Sequence, residues 1–285
     1  MLTKFSFIGF AILLLAGPVC AQKKAVAPTG PLLTRTISRH EVRRFGFGGT
    51  FTIVGAPHGS ITVEGWSRNE IDLTAEIEIQ GATEADMDKV VAVTGFVLDD
   101  DSNHMSLITV GMHDRSYMKK NAKNFPKQLL GSPWKIDYKL RVPQIVDVEI
   151  NGGTGAISMS GVEGLFRLNS PQSDVSLSLA GRVANVTVGI GTINFVVPAR
   201  SWRGAGADIQ LAAGKLNVDL PAGFSGEIDA DILRTGKIEN AYGLEPRERT
   251  SISERSVRGR SGAGGAYLKF TVGDGEIHIR KAVEN

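Results

Sequence analysis

Positive charge and aromatic rings are concentrated in the segment from Met112 to Trp134, which we call the basic insertion. Its cations outnumber its acids five to one, and aromatic residues lie between them. The candidate interaction residues are Arg115, Tyr117, Lys119, Lys120, Lys123, Phe125 and Lys127. Such cations can bind an anionic glycan, lipopolysaccharide or a membrane surface, and aromatic rings can stack on sugars. The alternative is a solvated loop whose Trp134 and Phe125 cap the open end of a stack of strands.

Within the basic insertion, Ser116 and Lys119 match the Ser-x-x-Lys motif of penicillin-binding enzymes, in which the serine is acylated. Residues 234–236 (Arg-Thr-Gly) resemble the Lys-Thr-Gly strand that accompanies this motif. No Ser-Asp-Asn sequence occurs, and the motif needs a helical domain, whereas the one predicted helix lies elsewhere. We therefore expect no acylation chemistry here.

Two residue patterns bear on metal binding. Asp99, Asp101 and Asn103 match the first three ligand positions of a calcium loop. His104 stands where the loop needs glycine, and Val110 stands where it needs a bidentate glutamate. No two of the five histidines are three or four residues apart, so no zinc pair on one element is visible. We predict no metal and no cofactor.

Acidic residues on predicted strands are the remaining candidates for catalysis. Polysaccharide-cleaving enzymes need clustered carboxylates or a strong base on one face. Asp147, Glu149, Asp219 and Asp229 stand singly among Ser, Thr, Asn and Gln, and only stacking of strands would bring them together. The sequence therefore favours a protein that is not an enzyme, with polysaccharide cleavage as an alternative.

The first 21 residues are typical of a secretory signal peptide, because Lys4 precedes an apolar run and small residues precede the cleavage point. Cys20 is the only cysteine, so cleavage after Ala21 leaves a mature chain with no thiol; lipidation of Cys20 is the alternative. The formal net charge of +2 gives no general preference for nucleic acid. We expect a periplasmic, cell-surface or secreted protein with no transmembrane segment in the mature chain.

The candidate residues must be positioned by short strands, in which apolar and polar residues alternate and glycines separate one strand from the next. Residues 22–34 are a predicted flexible tether, 35–135 an N-terminal β region, and 136–285 a region of β-strand repeats. One helix is predicted over 82–93, where Thr83 can cap the first turn.

A near-constant spacing relates the strands of the second region. Ile157, Val175 and Ile193 follow one another at intervals of 18 residues. Such a period indicates two short strands per repeat, which bury their apolar faces only by stacking. A β-sandwich is the alternative, but the period favours an all-β, β-solenoid or β-helix-like stack. Residues 241–266 break the period and are interpreted as a mobile excursion.

Four stretches together resemble a known bacterial family. They are residues 59–77 (GSITVEGWSRNEIDLTAEI), 140–164 (LRVPQIVDVEINGGTGAISMSGVEG), 214–238 (GKLNVDLPAGFSGEIDADILRTGKI) and 273–279 (GDGEIHI). Their order is similar to that of the putative-adhesin family with β-strand repeats, a domain of unknown function, and it covers roughly residues 50–280. The resemblance implies a β-solenoid-like fold and an envelope location, but no set of functional residues.

The expected function is an extended surface for adhesion or for binding a cell-surface glycan or another envelope component. A structural scaffold that stacks on itself or on a partner protein is the main alternative. No nucleic-acid partner is expected.

Overall fold

The computed structural model describes residues 31–101, 103–247 and 252–282. The predicted signal peptide and most of the predicted tether lie outside these ranges. Strands dominate the described residues, which confirms the prediction of a nearly all-β chain. These ranges contain two α-helices, one more than the sequence predicted, and one 3-10 helix.

The helices are α1 (Glu84–Val91), α2 (Arg115–Asn121) and the 3-10 helix (Lys127–Leu129). The strands are β1 (Leu33–Arg44), β2 (Thr50–Val54), β3 (Ile61–Trp66), β4 (Glu70–Gly81), β5 (Gly95–Asp101), β6 (His104–Val110), β7 (Trp134–Pro143), β8 (Asp147–Asn151), β9 (Ile157–Ser160), β10 (Leu165–Gln172), β11 (Val175–Ser178), β12 (Gly181–Val196), β13 (Arg203–Leu220), β14 (Gly226–Asn240), β15 (Glu245–Pro246), β16 (Ser256–Ser261) and β17 (Tyr267–Lys281).

Parallel pairing builds two long ladders from these strands. Ladder A runs β6–β2–β8–β10–β12–β13–β17–β14. Ladder B runs β7–β3–β9–β11–β12–β13–β17–β14. The four long strands β12, β13, β14 and β17 belong to ladder A with their first halves and to ladder B with their second halves. Strands from both predicted regions pair with one another, as β2 does with β8.

The predicted 18-residue spacing appears as strand register. Val175 lies opposite Ile157 on one side and Ile193 on the other, and Ile193 lies opposite Leu216. All four side chains are buried. Because apolar residues recur at the same place in each repeat, they stack into one continuous core that no single repeat could form. Burial of each such side chain contributes about 1.5–3 kcal/mol.

Glycines mark the corner where the chain passes from ladder A to ladder B. Gly214 and Gly275 are register partners with φ values of +138° and +141°. A Cβ atom on Gly275 would lie 1.8 Å from the carbonyl oxygen of Gly214. Only glycine combines this backbone conformation with so close an approach of neighbouring chains, which explains the Gly-x-Ile pattern of the sequence.

Stacking order departs from chain order at the C-terminal end. Strand β17, the last in sequence, pairs in parallel with β13 on one side and with β14 on the other. The spacing of apolar residues could not reveal this order of strands, because β13 and β14 carry the same apolar pattern opposite β17.

The segment 241–266, interpreted from the sequence as a mobile excursion, forms two strands in its described part. It contains β15 and β16, and β16 pairs antiparallel with β14. The amides of Ile232 and Ile238 also donate to the carbonyls of Arg255 and Glu254. The segment therefore covers the outer edge of β14. Such cover is needed because an exposed edge strand can pair with another chain.

The opposite end of the stack is covered by antiparallel strands and a helix. Strands β4 and β5 pair with β7 and β6, and β1 pairs with β4. Helix α1 connects β4 to β5 and begins where the Asp86 amide donates to the Thr83 hydroxyl, as the sequence predicted, with bounds two residues shorter at each end. Arg35 of β1 forms ion pairs with Glu84 and Asp88 and so ties the edge strand to this helix.

Candidate functional site

The basic insertion connects β6 of ladder A to β7 of ladder B. Its helix α2 begins at Asp114, whose carboxylate accepts hydrogen bonds from the amides of Ser116 (2.8 Å) and Tyr117 (3.0 Å). Helix α2 was not predicted from the sequence, because seven residues are too few for a clear apolar periodicity. An aspartate at the N-cap was the one available signal.

Apolar side chains anchor the insertion to the core. Met118 and Leu129 are buried, and Tyr117, Phe125 and Trp134 pack against the core while partly exposed. The His113 ring lies 5.4 Å from the Trp134 ring, and burial lowers the pKa of His113. The two candidate aromatic residues therefore contribute to packing, and the exposed surface of the insertion is left to its cations.

The five candidate cations all point into solvent. Within the described ranges, none of them has a carboxylate oxygen within 4.0 Å, although most other arginines and lysines do. They are Arg115, Lys119, Lys120, Lys123 and Lys127. Because no acid neutralises them, their positive potential is directed outward.

A surface groove of about 740 Å³ separates the insertion from α1. Lys120 and Lys123 line one side, and Lys89 of α1 lines the other. Val93 and Phe125 add apolar surface. We call it the insertion groove; its lining suits a ligand that carries negative charge next to an apolar part.

Ser116 and Lys119 of the Ser-x-x-Lys motif lie on α2, so a helix does present this motif, contrary to expectation. Both side chains are exposed, and no hydrogen bond joins them in the described structure. Arg234 and Thr235 bind Asp274 on β17 instead of meeting the motif. An acylating serine needs a base within hydrogen-bond reach, and this arrangement does not supply one.

The strand carboxylates are each occupied by a partner. Glu149 pairs with Arg167, and Asp219 pairs with Arg280. Asp147 accepts a hydrogen bond from the amide of Leu165. Across the described ranges, no group of three or more His, Cys, Asp or Glu residues is placed to hold a metal ion.

Asp229 is the most buried of the four carboxylates and lies in a separate network at the end of ladder A. It forms ion pairs with Arg247 and Arg258 and accepts a 2.6 Å hydrogen bond from the Tyr267 hydroxyl. Burial, together with this hydrogen bond, raises the pKa of Tyr267 to about 12. The network joins β14, β16 and β17, and it therefore holds the covering segment 241–266 against the ladders.

None of the helices in the described residues is long and apolar enough to cross a membrane. No protein-family model matches the chain, and no curated protein matches it.

Several solved structures align with most of this chain, at low sequence identity and with TM-scores below 0.5. One is described as a putative cell adhesion protein from Clostridium sporogenes, with 13% identity and a TM-score of 0.47, covering 86% of this chain and 100% of that one. Another is described as a putative adhesin from Bacteroides fragilis, with 15% identity and a TM-score of 0.36, covering 90% and 99%. A third is described as a putative lipid binding protein from Parabacteroides distasonis, with 12% identity and a TM-score of 0.22, covering 86% and 97%. The first two descriptions carry the adhesin label of the family that the sequence resembles, but similarity this low carries no argument about function.

Proposed function

We propose that this protein is an exported, non-enzymatic β-solenoid that binds an anionic component of the cell envelope through its basic insertion. Two parallel ladders with two strands per repeat support the solenoid class. The insertion interrupts one repeat, between β6 and β7, and is held in place by its own buried residues. The regular repeats are thus the scaffold, and the insertion is the element they present.

The observation that carries the proposal is the set of five exposed cations that have no acidic partner among the described residues. Elsewhere in the described structure, exposed cations are commonly paired, as Lys135 is with Glu78 and Asp137. Unpaired cations on one short segment keep their full attraction for a negatively charged surface. Each lysine near such a surface contributes about 1 kcal/mol of binding at physiological ionic strength.

The insertion groove narrows the kind of ligand. Lysines on both walls can contact phosphate or carboxylate groups, while Phe125 and Val93 offer apolar contact between them. An anionic amphiphile, such as the lipid anchor of lipopolysaccharide or an anionic phospholipid, has this combination of groups. A strictly polar anionic glycan would use the lysines alone.

The test is sedimentation of purified protein with vesicles of phosphatidylcholine, with and without phosphatidylglycerol. We expect binding only to the anionic vesicles. Replacing Lys119, Lys120, Lys123 and Lys127 by Glu should reduce that binding by at least about a hundredfold, given the contribution of each lysine.

A control variant changes the net charge equally but away from the insertion, by replacing Lys139, Lys215, Lys237 and Lys281 with Glu. It should keep at least a tenth of the wild-type affinity. Equal loss in both variants would mean that overall charge, and not the insertion, governs binding. Unchanged binding of the insertion variant would exclude the insertion as the site.

The alternative of a self-stacking scaffold has less support. Antiparallel strands and α1 cover one end of the ladders, and β16 covers the other end. The edge strand β1 also carries Arg35, Arg39 and Arg43. Charged edge strands resist pairing with a second chain. Sedimentation velocity over a range of concentrations checks this, and we expect a monomer throughout.

A further inference from the structure

The outward face of ladder A carries two rows of polar side chains at matching positions in successive strands. In each row, one residue from each of β8, β10, β12, β13 and β17 lies beside its register partner. The first row is Glu149, Arg167, Asn185, Asp208 and Lys269. The second row is Asn151, Asn169, Thr187, Gln210 and Thr271. We call these ten residues the polar tray.

The tray is concave. Three adjoining depressions of about 410, 370 and 180 Å³ lie along it. The first two share Asn169 and Thr187, and the first and third share Asn185. They therefore form one trough that crosses the strands, with a repeat of roughly 4.8 Å set by the spacing of paired strands.

Charge is balanced inside the tray. Glu149 pairs with Arg167 at 2.7 Å, and Asp208 pairs with Lys269 at 3.7 Å. Two acids and two bases thus cancel without any outside partner. A ligand that relies on charge finds little net attraction here, in contrast to the basic insertion.

Most amides of the tray are left free, although the Gln210 amide donates to Asp208 at 3.2 Å. Asn151, Asn169, Asn185 and Thr187 are exposed, and their side chains make no hydrogen bond within the described part of the chain. Each amide offers donors and an acceptor side by side, which matches pairs of neighbouring hydroxyl groups on a sugar.

The outer face of ladder B also has a depression, of about 300 Å³, but some of its polar side chains are paired across strands. There the Ser158 hydroxyl donates to the Thr62 hydroxyl, and the Asn217 amide donates to Asn194 at 2.8 Å. Polar residues on that face partly satisfy one another across strands. The corresponding residues on ladder A point into an open trough.

An aromatic ring closes one end of the trough. Tyr267 lies next to Asp208 and Lys269 and is 40% exposed, and its hydroxyl is fixed by Asp229. A tyrosine ring held in one orientation provides a flat apolar surface beside polar groups. Sugar rings present the same mixture of apolar faces and polar edges.

We infer that the polar tray binds an extended, uncharged polysaccharide, with about one sugar unit over each strand. Its neutral lining, its free amides at a regular spacing and its length across several strands together point to this class of ligand. The site is separate from the insertion groove and shares with the proposed function only the premise that the protein acts at a cell surface.

The test is affinity electrophoresis of the purified protein in native gels that contain dextran, mannan or hydroxyethyl cellulose. We expect at least one of these neutral polymers to retard the wild-type protein, with little change on adding salt. The Asn151→Ala/Asn169→Ala variant should bind that polymer about tenfold more weakly, because it loses two or more hydrogen bonds.

Two controls accompany this variant. Ser158→Ala/Ser176→Ala removes two polar side chains from the outer face of ladder B and should bind like the wild type. The fourfold lysine variant of the insertion should also keep its glycan binding while it loses anionic vesicles. Vesicle binding by the insertion and glycan binding by the tray can therefore be disproved independently of each other.

Three outcomes overturn the inference. The first is that none of the three polymers retards the wild-type protein. The second is equal retardation of the tray variant, provided that its circular dichroism and unfolding midpoint match the wild type. The third is a concentration-dependent dimer that the tray variant abolishes, because a second copy of the chain would then be the occupant.

Discussion

The basic insertion and the polar tray both expose charged side chains, but they differ in how those charges are paired. In the insertion, five cations have no acidic partner among the described residues, so the surface selects for negative charge. In the tray, Glu149, Arg167, Asp208 and Lys269 cancel one another, and amides remain to select by hydrogen bonding.

The two surfaces also depend on the fold in different ways. The tray exists only because five strands keep one register, so any loss of stacking removes it. The insertion is an additional segment anchored by a small number of buried residues, and the ladders do not need its lysines. Substitutions can change the charge pairing of each surface, and they can also disturb the strand register on which the tray depends.

The largest effect is expected at the glycine corner, which maintains the register of the tray. Gly275→Ala would place a Cβ atom 1.8 Å from the Gly214 carbonyl oxygen, at a φ of +141°. Left-handed strain and steric displacement each cost roughly 1–3 kcal/mol, so we expect a loss of about 3 kcal/mol in the free energy of unfolding, measured with urea.

Gly131→Ala is the matched control for this substitution, and it lies in the basic insertion. A Cβ atom there would meet nothing within 4 Å. Its effect should stay within about 0.5 kcal/mol. Equal destabilisation by both substitutions would show that the backbone of the insertion is packed as closely as the backbone at the glycine corner.

The next effect concerns the anchor of the insertion. Leu129→Ala removes a buried side chain, and we expect a loss of about 2 kcal/mol, near the lower end for such truncations because the site lies close to the surface. Leu130, its neighbour, is 47% exposed, so Leu130→Ala should change stability little. Vesicle binding should weaken in Leu129→Ala, whereas glycan binding should not; loss of both would mean that the two surfaces are coupled.

A smaller effect depends on pH and involves Tyr267 at the end of the tray. Its folded-state pKa of about 12 lies above the ordinary value of 10.0 because burial and Asp229 disfavour the phenolate. The stabilisation is therefore complete below pH 10 and is lost as the pH rises through about 12. Urea midpoints between pH 9 and pH 12 should fall less steeply for Tyr267→Phe than for the wild type, and equal slopes would contradict the assignment.

The smallest effect on stability is expected within the tray itself. Glu149 and Arg167 form an exposed ion pair, which contributes about 0–1 kcal/mol. A double-mutant cycle of Glu149→Gln and Arg167→Gln should give a coupling energy below about 1 kcal/mol. Glu149→Gln alone leaves the tray with a net positive charge, so its binding to an anionic glycan such as alginate should become measurable and sensitive to salt.

The sequence was informative where the signal is local or strictly periodic. Thr83 and the residues after it predicted α1, and the interval between Ile157 and Val175 predicted the register of adjacent strands. In both cases the relevant contacts lie within one helix or between neighbouring repeats. The sequence also singled out the cations of the insertion, because their excess over acids is visible without coordinates.

The rest depends on contacts that periodicity does not encode. The place of β17 between β13 and β14 was missed because all three strands repeat the same apolar pattern. The tray was missed because Asn169 on ladder A and Ser158 on ladder B look alike as outward polar residues. Only the structure shows that Ser158 has a hydrogen-bond partner and that Asn169 has none in the described residues.

The position of β17 has a consequence for how the chain reaches its native state during synthesis. Strand β17 follows β13 and β14 along the chain but lies between them, so the pairing of these edges waits until residues 267–281 are available. Domains that are completed by early residues can fold while translation continues. This end of the ladders therefore cannot be completed until residues 267–281 have been synthesised, however early β13 and β14 emerge.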